Sequence, residues 1–191
     1  KEFQAEFGFE KAYGSYEELL KDSRLDIVYI CTPNALHYDQ IMLCLSYGKH
    51  VICEKAMVAN EEQVKAIFEE ARNRGCFLME AEKTMFIPLN VRLKQMIGAG
   101  VIGKLLAIRA EYSYEVFKEV AADHWVLTEE MSGSAYDIGV YPISFSHFLA
   151  DAKMQELKVQ KLTHPDYSCN FGMQADILYE NGVYGFLKSN W

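Results

Sequence analysis

The stretch DIVYICTPN, residues 26–34, decides the fold class, because it joins a continuous apolar run to a polar turn. The run itself, Ile27–Cys31, is typical of a strand that is buried on both faces of a parallel sheet. Directly after the turn, a helix with one apolar face is predicted over residues 37–47, and it ends at Gly48. These elements form a strand–helix unit of an α/β domain.

The same alternation continues on both sides of that unit. A short helix is predicted over Ser15–Leu20, with its first residue as the N-cap. Val51–Cys53 is predicted to be the second strand, Asn60 caps a helix that ends at Gly75, and Phe77–Met79 is predicted to be the third strand. Strands and helices in this order, with short links, predict right-handed crossovers and a parallel sheet.

The regular alternation of strands and helices ends near residue 82. We therefore place a domain boundary there, between residues 1–82 and residues 83–191. The further predicted elements are a helix at Pro88–Ile97, a strand at Leu105–Val116, a helix at Tyr136–Phe148, and a hairpin of Met173–Tyr179 and Val183–Lys188 around the turn Glu180–Gly182. The fold class is therefore predicted to be α/β: a partial domain with a parallel sheet, followed by a partial α+β domain with a mostly antiparallel open sheet.

Composition narrows the class of protein. Half of the 191 residues are apolar, which is enough for a sizeable core. The net charge of −8 disfavours nucleic acid or an anionic membrane as partner, and no apolar run approaches the roughly 20 residues of a membrane span. The five cysteines lack C-x-x-C spacing and are interpreted as reduced thiols of a cytoplasmic protein. The histidines show no metal-ligand spacing, so no metal site is predicted.

Polar side chains follow the first two strands at the points where each strand ends. Thr32, Pro33 and Asn34 follow the first strand, with His37 one helical turn further on, and Glu54–Lys55 follows the second strand directly. In open parallel sheets, ligands bind beyond the carboxyl ends of the strands. Two interpretations stay open: structural ion pairs with solvated loop charges, or a crevice for a cofactor ring and an oxygen substrate.

A second polar cluster lies at Ser132–Pro142. Asp137 and Tyr141 are four residues apart, so they would share one face of the predicted helix. Structural roles are equally open here, because Ser134 with Asp137 is typical of a capping box and Tyr141 suits a core position.

Taken together, these segments resemble the Gfo/Idh/MocA family, which contains glucose–fructose oxidoreductase and inositol dehydrogenase. The matching segments are Asp26–Asn34 with His37, Gly48–Lys55, Gly100–Lys104 and Ser132–Tyr141. The resemblance covers most of the chain and is specific as an ordered set. Asp137 with Tyr141, and the segment from Glu80 to Pro88, are similar to the branch of glucose–fructose oxidoreductase and the dimeric dihydrodiol dehydrogenases.

The resemblance implies that residues 1–82 are the C-terminal part of a Rossmann domain that binds NAD or NADP. Residues 83–191 would be the N-terminal part of the family's substrate and oligomerisation domain, which forms dimers or tetramers through its open sheet. The residues implied on the cofactor side are Thr32, Pro33, Asn34, His37, Glu54 and Lys55. The implied catalytic residues are Lys55, Asp137 and Tyr141, and Lys83 and Phe86 are candidate substrate contacts.

The implied reaction is hydride transfer between nicotinamide and a hydroxyl or carbonyl group of a sugar, polyol or diol. Tyr141 is the candidate acid/base, with Lys55 stabilising its phenolate and Asp137 orienting the substrate or the lysine. The reverse assignment, with Lys55 as the acid/base, stays open. Two other functions also stay open: a redox-neutral glycoside hydrolase that uses NAD, and a non-catalytic regulator that binds a dinucleotide.

The sequence also departs from the family pattern. The chain opens on KEFQ without an initiator Met, and the family's first glycine-rich turn is not found before the first strand, so we expect a piece of a longer protein. Ala56 stands where the family usually has Pro, which would place Lys55 differently if the family geometry uses a cis bond there. Lys83 stands where the dihydrodiol branch tends to have Trp, which favours a sugar, polyol or anionic substrate.

Overall fold

A computed structural model describes residues 2–128 and 131–191. The helices are α1 Glu2–Phe7, α2 Tyr16–Leu20, α3 His37–Ser46, α4 Glu61–Arg74, α5 Pro88–Gly98, α6 Trp125–Thr128, α7 Ser134–Asp137 and α8 Val140–Ala150. The strands are β1 Ile27–Ile30, β2 His50–Cys53, β3 Leu78–Glu80, β4 Ala107–Ser113, β5 Met154–His164, β6 Tyr167–Tyr179 and β7 Tyr184–Asn190. Short 3₁₀ helices lie at Asn34–Leu36, Lys83–Phe86 and Val116–Lys118.

The first sheet is parallel with the strand order β1-β2-β3, as predicted. Helix α4 is capped at both ends. The side chain of Asn60 accepts a hydrogen bond from the Gln63 amide, and Gly75 ends the helix in the left-handed conformation. Helices α3 and α4 pack against each other, and their apolar residues form one core with the sheet.

The prediction that β1 is buried on both faces was wrong. Ile30 is buried, whereas Ile27 and Tyr29 are 43 % and 54 % exposed. The core of this half combines the two crossover helices with the buried side chains of the strands, so only one face of the sheet is covered. Side chains alternate between the two faces of a strand, which leaves Ile27 and Tyr29 on the open face.

The second sheet has the strand order β4-β7-β6-β5. Strand β6 is antiparallel to both β5 and β7, and β4 pairs with β7 in parallel. The predicted hairpin forms, with Gly182 at φ +82 in its turn. Strand β4 is shorter than the predicted Leu105–Val116, because Val116 belongs to a 3₁₀ helix. Strand β5 had no counterpart in the prediction.

The single helix predicted over Tyr136–Phe148 is divided in the structure. Helix α7 ends at Asp137 and α8 begins at Val140, with Ile138 and Gly139 between them. Gly139 lies so close to the preceding turn that a β-carbon there would meet the Ala135 carbonyl oxygen at 2.5 Å. Asp137 and Tyr141 therefore do not share the face of one continuous helix.

Residues Gly98–Gly103 spell G-x-G-x-x-G, but in the wrong context for a dinucleotide turn. They begin at the last residue of α5 and lead towards β4, whereas the phosphate-binding turn runs from a strand into a helix. Within residues 2–128 and 131–191, no helix has the length and apolar character that a membrane span requires.

Candidate active site

Lys55 lies at the carboxyl end of β2 and reaches into the second half of the chain. The Glu54 amide donates to the Ile30 carbonyl at 2.9 Å, which extends the parallel pairing by one residue and fixes the start of the loop. The Lys55 ammonium donates to Oδ1 of Asp137 at 2.8 Å and to the Asp137 carbonyl at 2.5 Å. The two side chains are 18 % and 20 % exposed, so the ion pair is largely shielded from solvent.

The other carboxylate oxygen of Asp137 is also occupied. The Tyr114 hydroxyl donates to Oδ2 of Asp137 at 2.9 Å. Burial, together with this hydrogen bond to a carboxylate, raises the pKa of Tyr114 well above its ordinary value. Tyr114 is therefore a neutral donor that holds Asp137, and Asp137 in turn holds Lys55.

Tyr141 lies beside this pair at the start of α8. Its ring centroid is 5.5 Å from Nζ of Lys55 and 5.0 Å from Nζ of Lys83. The ring of Tyr112 packs against it at a centroid distance of 5.4 Å. Tyr141 also lines a cleft of about 490 Å³, together with Lys83, Thr84, Asn90, Arg109 and Tyr112 among others. The ring of Tyr141 thus lies near two ammonium groups and borders an open cleft.

Hydrogen bonds within the turn of Lys83 stabilise the backbone on both sides of this residue. Glu82 is only 2 % exposed, and its carboxylate accepts hydrogen bonds from the Thr84 amide at 3.1 Å and from the Thr84 hydroxyl at 2.5 Å. Asn90 donates to the Thr84 carbonyl at 2.9 Å. Phe86 is 63 % exposed and does not line the cleft.

The residues expected on the cofactor side lie at the carboxyl ends of β1 and β2, and several are occupied by protein partners. The Thr32 hydroxyl donates to Oε1 of Gln40 at 2.7 Å, and the Asn34 amide group donates to the Met131 carbonyl at 3.0 Å. Pro33 is partly buried at the start of the 3₁₀ helix that follows β1. Asn34 therefore ties the first half of the chain to the second.

Glu54 is occupied on both carboxylate oxygens. One oxygen accepts a hydrogen bond from the Tyr29 hydroxyl, and the other accepts one from the Lys55 amide at 3.2 Å. The Tyr29 hydroxyl donates to the Glu54 carboxylate and is partly buried, and together these raise the pKa of Tyr29 to about 12. Glu54 therefore anchors the loop of Lys55 and does not contact Asp137.

His37 is completely buried, with both ring nitrogens against backbone carbonyls. Nδ1 lies 3.0 Å from the Ala56 oxygen and Nε2 lies 2.9 Å from the Thr32 oxygen. The imidazole thus links the loop after β1 to the loop after β2, where the Lys55–Ala56 peptide bond is cis. Both nitrogens are engaged in this link, so His37 offers no free ring nitrogen to a cofactor.

The donor set at this edge of the sheet fits the nicotinamide end of a dinucleotide. Thr32, Asn34, Glu54 and Lys55 place hydroxyl, amide, carboxylate and ammonium groups beyond the carboxyl ends of two parallel strands, where such cofactors lie. Thr32, Glu54 and Lys55 are partly exposed, so they are accessible from the crevice. Thr32, Glu54 and Lys55 would hold the nicotinamide side, whereas Asn34 is buried and its amide group is bound to the Met131 carbonyl.

The sequence prediction missed Tyr114 and Glu82. A tyrosine just beyond a strand and a glutamate in a loop are ordinary features, and only the fold brings Tyr114 to Asp137. Among residues 2–128 and 131–191, no group of three or more His, Cys, Asp or Glu side chains is arranged to bind a metal ion.

Both parts of the chain match family models. Residues 1–82 match the oxidoreductase family with an NAD-binding Rossmann fold, Gfo/Idh/MocA, and residues 90–191 match the Gfo/Idh/MocA C-terminal domain. The trans-1,2-dihydrobenzene-1,2-diol dehydrogenase of Bos taurus is 39 % identical over 186 residues, which is 97 % of this chain and 54 % of that protein. The chain spans about half the length of the diol dehydrogenases that it matches.

Two further similar proteins have names or bound molecules that differ from those of the diol dehydrogenases. The D-xylose 1-dehydrogenase (NADP(+)) of Hypocrea jecorina is 37 % identical over 142 residues, covering 71 % of this chain and 36 % of that protein. A 3-ketoreductase from Actinomadura kijaniata, solved with TDP-benzene and NADP in an open conformation, superposes with a TM-score of 0.82 at 28 % identity. That match covers 98 % of this chain and 55 % of the solved one.

Proposed function

The chain belongs to the Gfo/Idh/MocA family of oxidoreductases, and from this premise we propose that the protein containing it is an NAD(P)-dependent dehydrogenase. Its substrate is a sugar, polyol or diol, and the reacting group is a hydroxyl or carbonyl of that molecule. The observation that carries the proposal is the meeting of Lys55, from the first half, with Asp137 and Tyr141, from the second half, beside an open cleft.

A bound nicotinamide supplies the redox chemistry, by exchanging a hydride with the substrate carbon. The chain's own residues then have to manage the proton on the substrate oxygen. Tyr141 is the proposed acid/base, because its phenol lines the cleft and two ammonium groups lie within 5.5 Å of its ring. A phenol in this position can exchange a proton with the substrate oxygen.

Lys55 is proposed to orient the reacting oxygen. A lysine ammonium has three N–H donors, and two of these are used by Asp137. The third is left to meet the substrate oxygen or the Tyr141 hydroxyl. Asp137 acts as a positioning residue through this pair, and Tyr114 positions Asp137 in turn. Lys55 as the acid/base is the reverse assignment.

The substrate class is supported by the relatives. The curated matches include enzymes named for a diol and for xylose, and both are dehydrogenases. Lys83 and Phe86 were the expected substrate contacts; we retain Lys83, which lines the cleft, and not Phe86, which does not.

We also propose separate binding roles for the two halves of the chain. Residues 1–82 would contribute to a dinucleotide-binding domain and residues 83–191 to a substrate domain, with the Lys55–Asp137 contact between them. The outer face of the second sheet would form a homodimer or tetramer, because it exposes the stacked rings of Tyr184 and Phe186. Five free cysteines suit a reducing compartment such as the cytoplasm.

The test is spectroscopic, on the natural protein that contains this chain. Absorbance of the reduced nicotinamide is followed while sugars, polyols and trans-diols are supplied with NAD or NADP. We expect the reduced form to accumulate with at least one of these substrates. Glycoside cleavage without net reduction would favour a redox-neutral hydrolase instead, and dinucleotide binding without any turnover would favour a regulator.

A further inference from the structure

The cleft beside Tyr141 contains a cation that no neighbouring carboxylate balances. Lys83 lines this cleft and is exposed, and its Nζ lies 5.0 Å from the centroid of the Tyr141 ring. Within residues 2–128 and 131–191, no carboxylate oxygen lies within 4.0 Å of this ammonium. We infer that Lys83 selects a sugar or polyol that carries an anionic group, a carboxylate or a phosphate. The inference names the substrate class of the proposed dehydrogenase and therefore rests on the proposed function.

Two more charged residues line the same cleft, and both are engaged with β7. The Glu111 carboxylate is 3.5 Å from the Lys188 ammonium, on the neighbouring strand. The guanidinium carbon of Arg109 lies 5.8 Å from the centroid of Phe186, its partner in the same strand pair. Lys83 therefore supplies the charge that a ligand in the cleft would meet.

The reaction centre next to the cleft adds no net charge of its own. The Lys55 ammonium is 2.8 Å from a carboxylate oxygen of Asp137, so these two charges balance each other. Both ammonium groups, of Lys55 and Lys83, lie within 5.5 Å of the centroid of the Tyr141 ring. One small molecule can therefore present its reacting oxygen to the reaction centre and an anionic group to Lys83.

The charge of the whole chain makes this cation distinctive. The formal net charge is −8, so the protein as a whole repels anions, and a cleft for a neutral sugar needs no cation. A lysine ammonium offers up to three N–H donors to an anion, and hydrogen bonds between ionised groups are stronger than those between neutral groups. Lys83 would thus favour an anionic substrate over its neutral counterpart.

The backbone on both sides of Lys83 is fixed. The buried carboxylate of Glu82 accepts hydrogen bonds from the amide and the hydroxyl of Thr84. The Asn90 side chain donates to the Thr84 carbonyl, and its oxygen accepts no hydrogen bond from the part of the chain that the structure describes. A lysine on such a turn loses less freedom when it binds an anion, and the Asn90 oxygen is left to accept from a substrate hydroxyl.

The test compares ligands that share one ring and differ in a single group: D-glucose, D-glucuronate and D-glucose 6-phosphate. Calorimetry measures their binding to the natural protein loaded with reduced nicotinamide dinucleotide, so that a hydroxyl substrate binds without turnover. The corresponding galactose series repeats the comparison with one hydroxyl inverted. We expect at least one anion to bind about tenfold or more tightly than its neutral counterpart.

Variants assign this preference to Lys83. In Lys83→Met, the ratio of anion affinity to neutral affinity should fall about tenfold or more, and Lys83→Arg should retain it because the charge is kept. Lys94→Met is the matched control: it removes a lysine that pairs with Asp151 and does not line the cleft, so the ratio should not change. Whether glucuronate or the 6-phosphate gains more identifies the anionic group.

Equal affinities of neutral and anionic ligands in both series would overturn the inference, and so would the lack of binding of any anion. An unchanged ratio in Lys83→Met would also refute it, including the case in which all ligands weaken equally. Anion binding that depends on Lys83, without any nicotinamide turnover, would refute the proposed function and leave this inference standing. Faster turnover of neutral sugars than of the anions, without the affinity preference, would do the reverse.

Discussion

Nζ of Lys55 and Oδ1 of Asp137 lie 2.8 Å apart, although 82 positions separate the two residues in the chain. One residue follows the second strand of the parallel sheet, and the other ends the short helix α7 in the second half. The contact joins the two halves at the point where the carboxyl ends of the strands open. It also brings Tyr141 to the same place, so the geometry of the proposed reaction centre depends on this one ion pair.

Asp137→Asn should destabilise the protein by about 1–3 kcal/mol, because it leaves a largely shielded ammonium without its carboxylate. The free energy of unfolding from denaturant titration measures this. Asp151→Asn is the matched control, since Asp151 also pairs with a lysine but is 75 % exposed. The control should change stability far less, because an exposed ion pair is screened by solvent. Equal losses in the free energy of unfolding of the two variants would show that the Lys55–Asp137 pair stabilises the protein no more than an exposed ion pair does.

Tyr114→Phe should lower kcat and leave the dissociation constant of the dinucleotide unchanged. The variant removes the hydrogen bond to Oδ2 of Asp137, which costs about 1 kcal/mol and frees the carboxylate to turn away from Lys55. Steady-state kinetics and a binding titration separate the two quantities. Tyr16→Phe alters an exposed tyrosine and is the control. A kcat equal to that of the wild type would remove Tyr114 from the account.

Glu80→Gln should stabilise the protein above pH 4.5 and have little effect below it. Burial raises the pKa of Glu80 above its ordinary value of 4.5, although its carboxylate accepts a hydrogen bond from the Met57 amide. The folded chain therefore holds this proton more tightly than the unfolded chain, and the wild type loses stability as the pH rises through the folded pKa. Glutamine keeps an acceptor for the amide and carries no charge.

This prediction is checked by unfolding titrations of both proteins from pH 4 to pH 8. Glu180→Gln, in the exposed hairpin turn, is the control. A difference between wild type and Glu80→Gln that stays constant across this range would contradict the assigned cause.

Gly139→Ala should destabilise the protein by about 1–3 kcal/mol, because the added β-carbon would meet backbone atoms of Ala135, which cannot rotate away. We also expect Gly139→Ala to lower the dehydrogenase activity, because Gly139 lies between Asp137 and Tyr141 and a shift of its backbone would displace both. Gly98→Ala is the matched control: it ends α5, and a β-carbon there has nothing within 4 Å. Thermal unfolding compares the two, and equal melting temperatures would contradict the predicted collision.

Most of the fold could be predicted because local patterns and tertiary packing agree. Asn60 and Gly75 mark the two ends of α4, and both act as caps in the structure. Strand β5 was missed because all but one of its residues are exposed and it carries lysines and glutamines, so it lacks an apolar pattern. The break at Ile138 and Gly139 was missed because the apolar pattern continues across it, and only the close approach of Gly139 to Ala135 reveals the bend.

The candidate site was predictable as a set of residues but not as a set of contacts. Lys55, Asp137 and Tyr141 were each identified by their residue type and by resemblance, and the structure brings them together. The partners of these residues depend on tertiary geometry: Tyr114 reaches Asp137 from beyond β4, and both ring nitrogens of His37 lie against backbone carbonyls. No spacing in the sequence encodes such long-range hydrogen bonds.

The most direct test of the central claim is single-turnover hydride transfer in the natural protein, measured for Lys55→Met and Tyr141→Phe. Lys65→Met and Tyr16→Phe, which change the same residue types at exposed positions, are the controls. We predict that each site variant slows transfer by about 100-fold or more while the dissociation constant of the dinucleotide is retained. Transfer at near wild-type rates in both site variants would contradict the account.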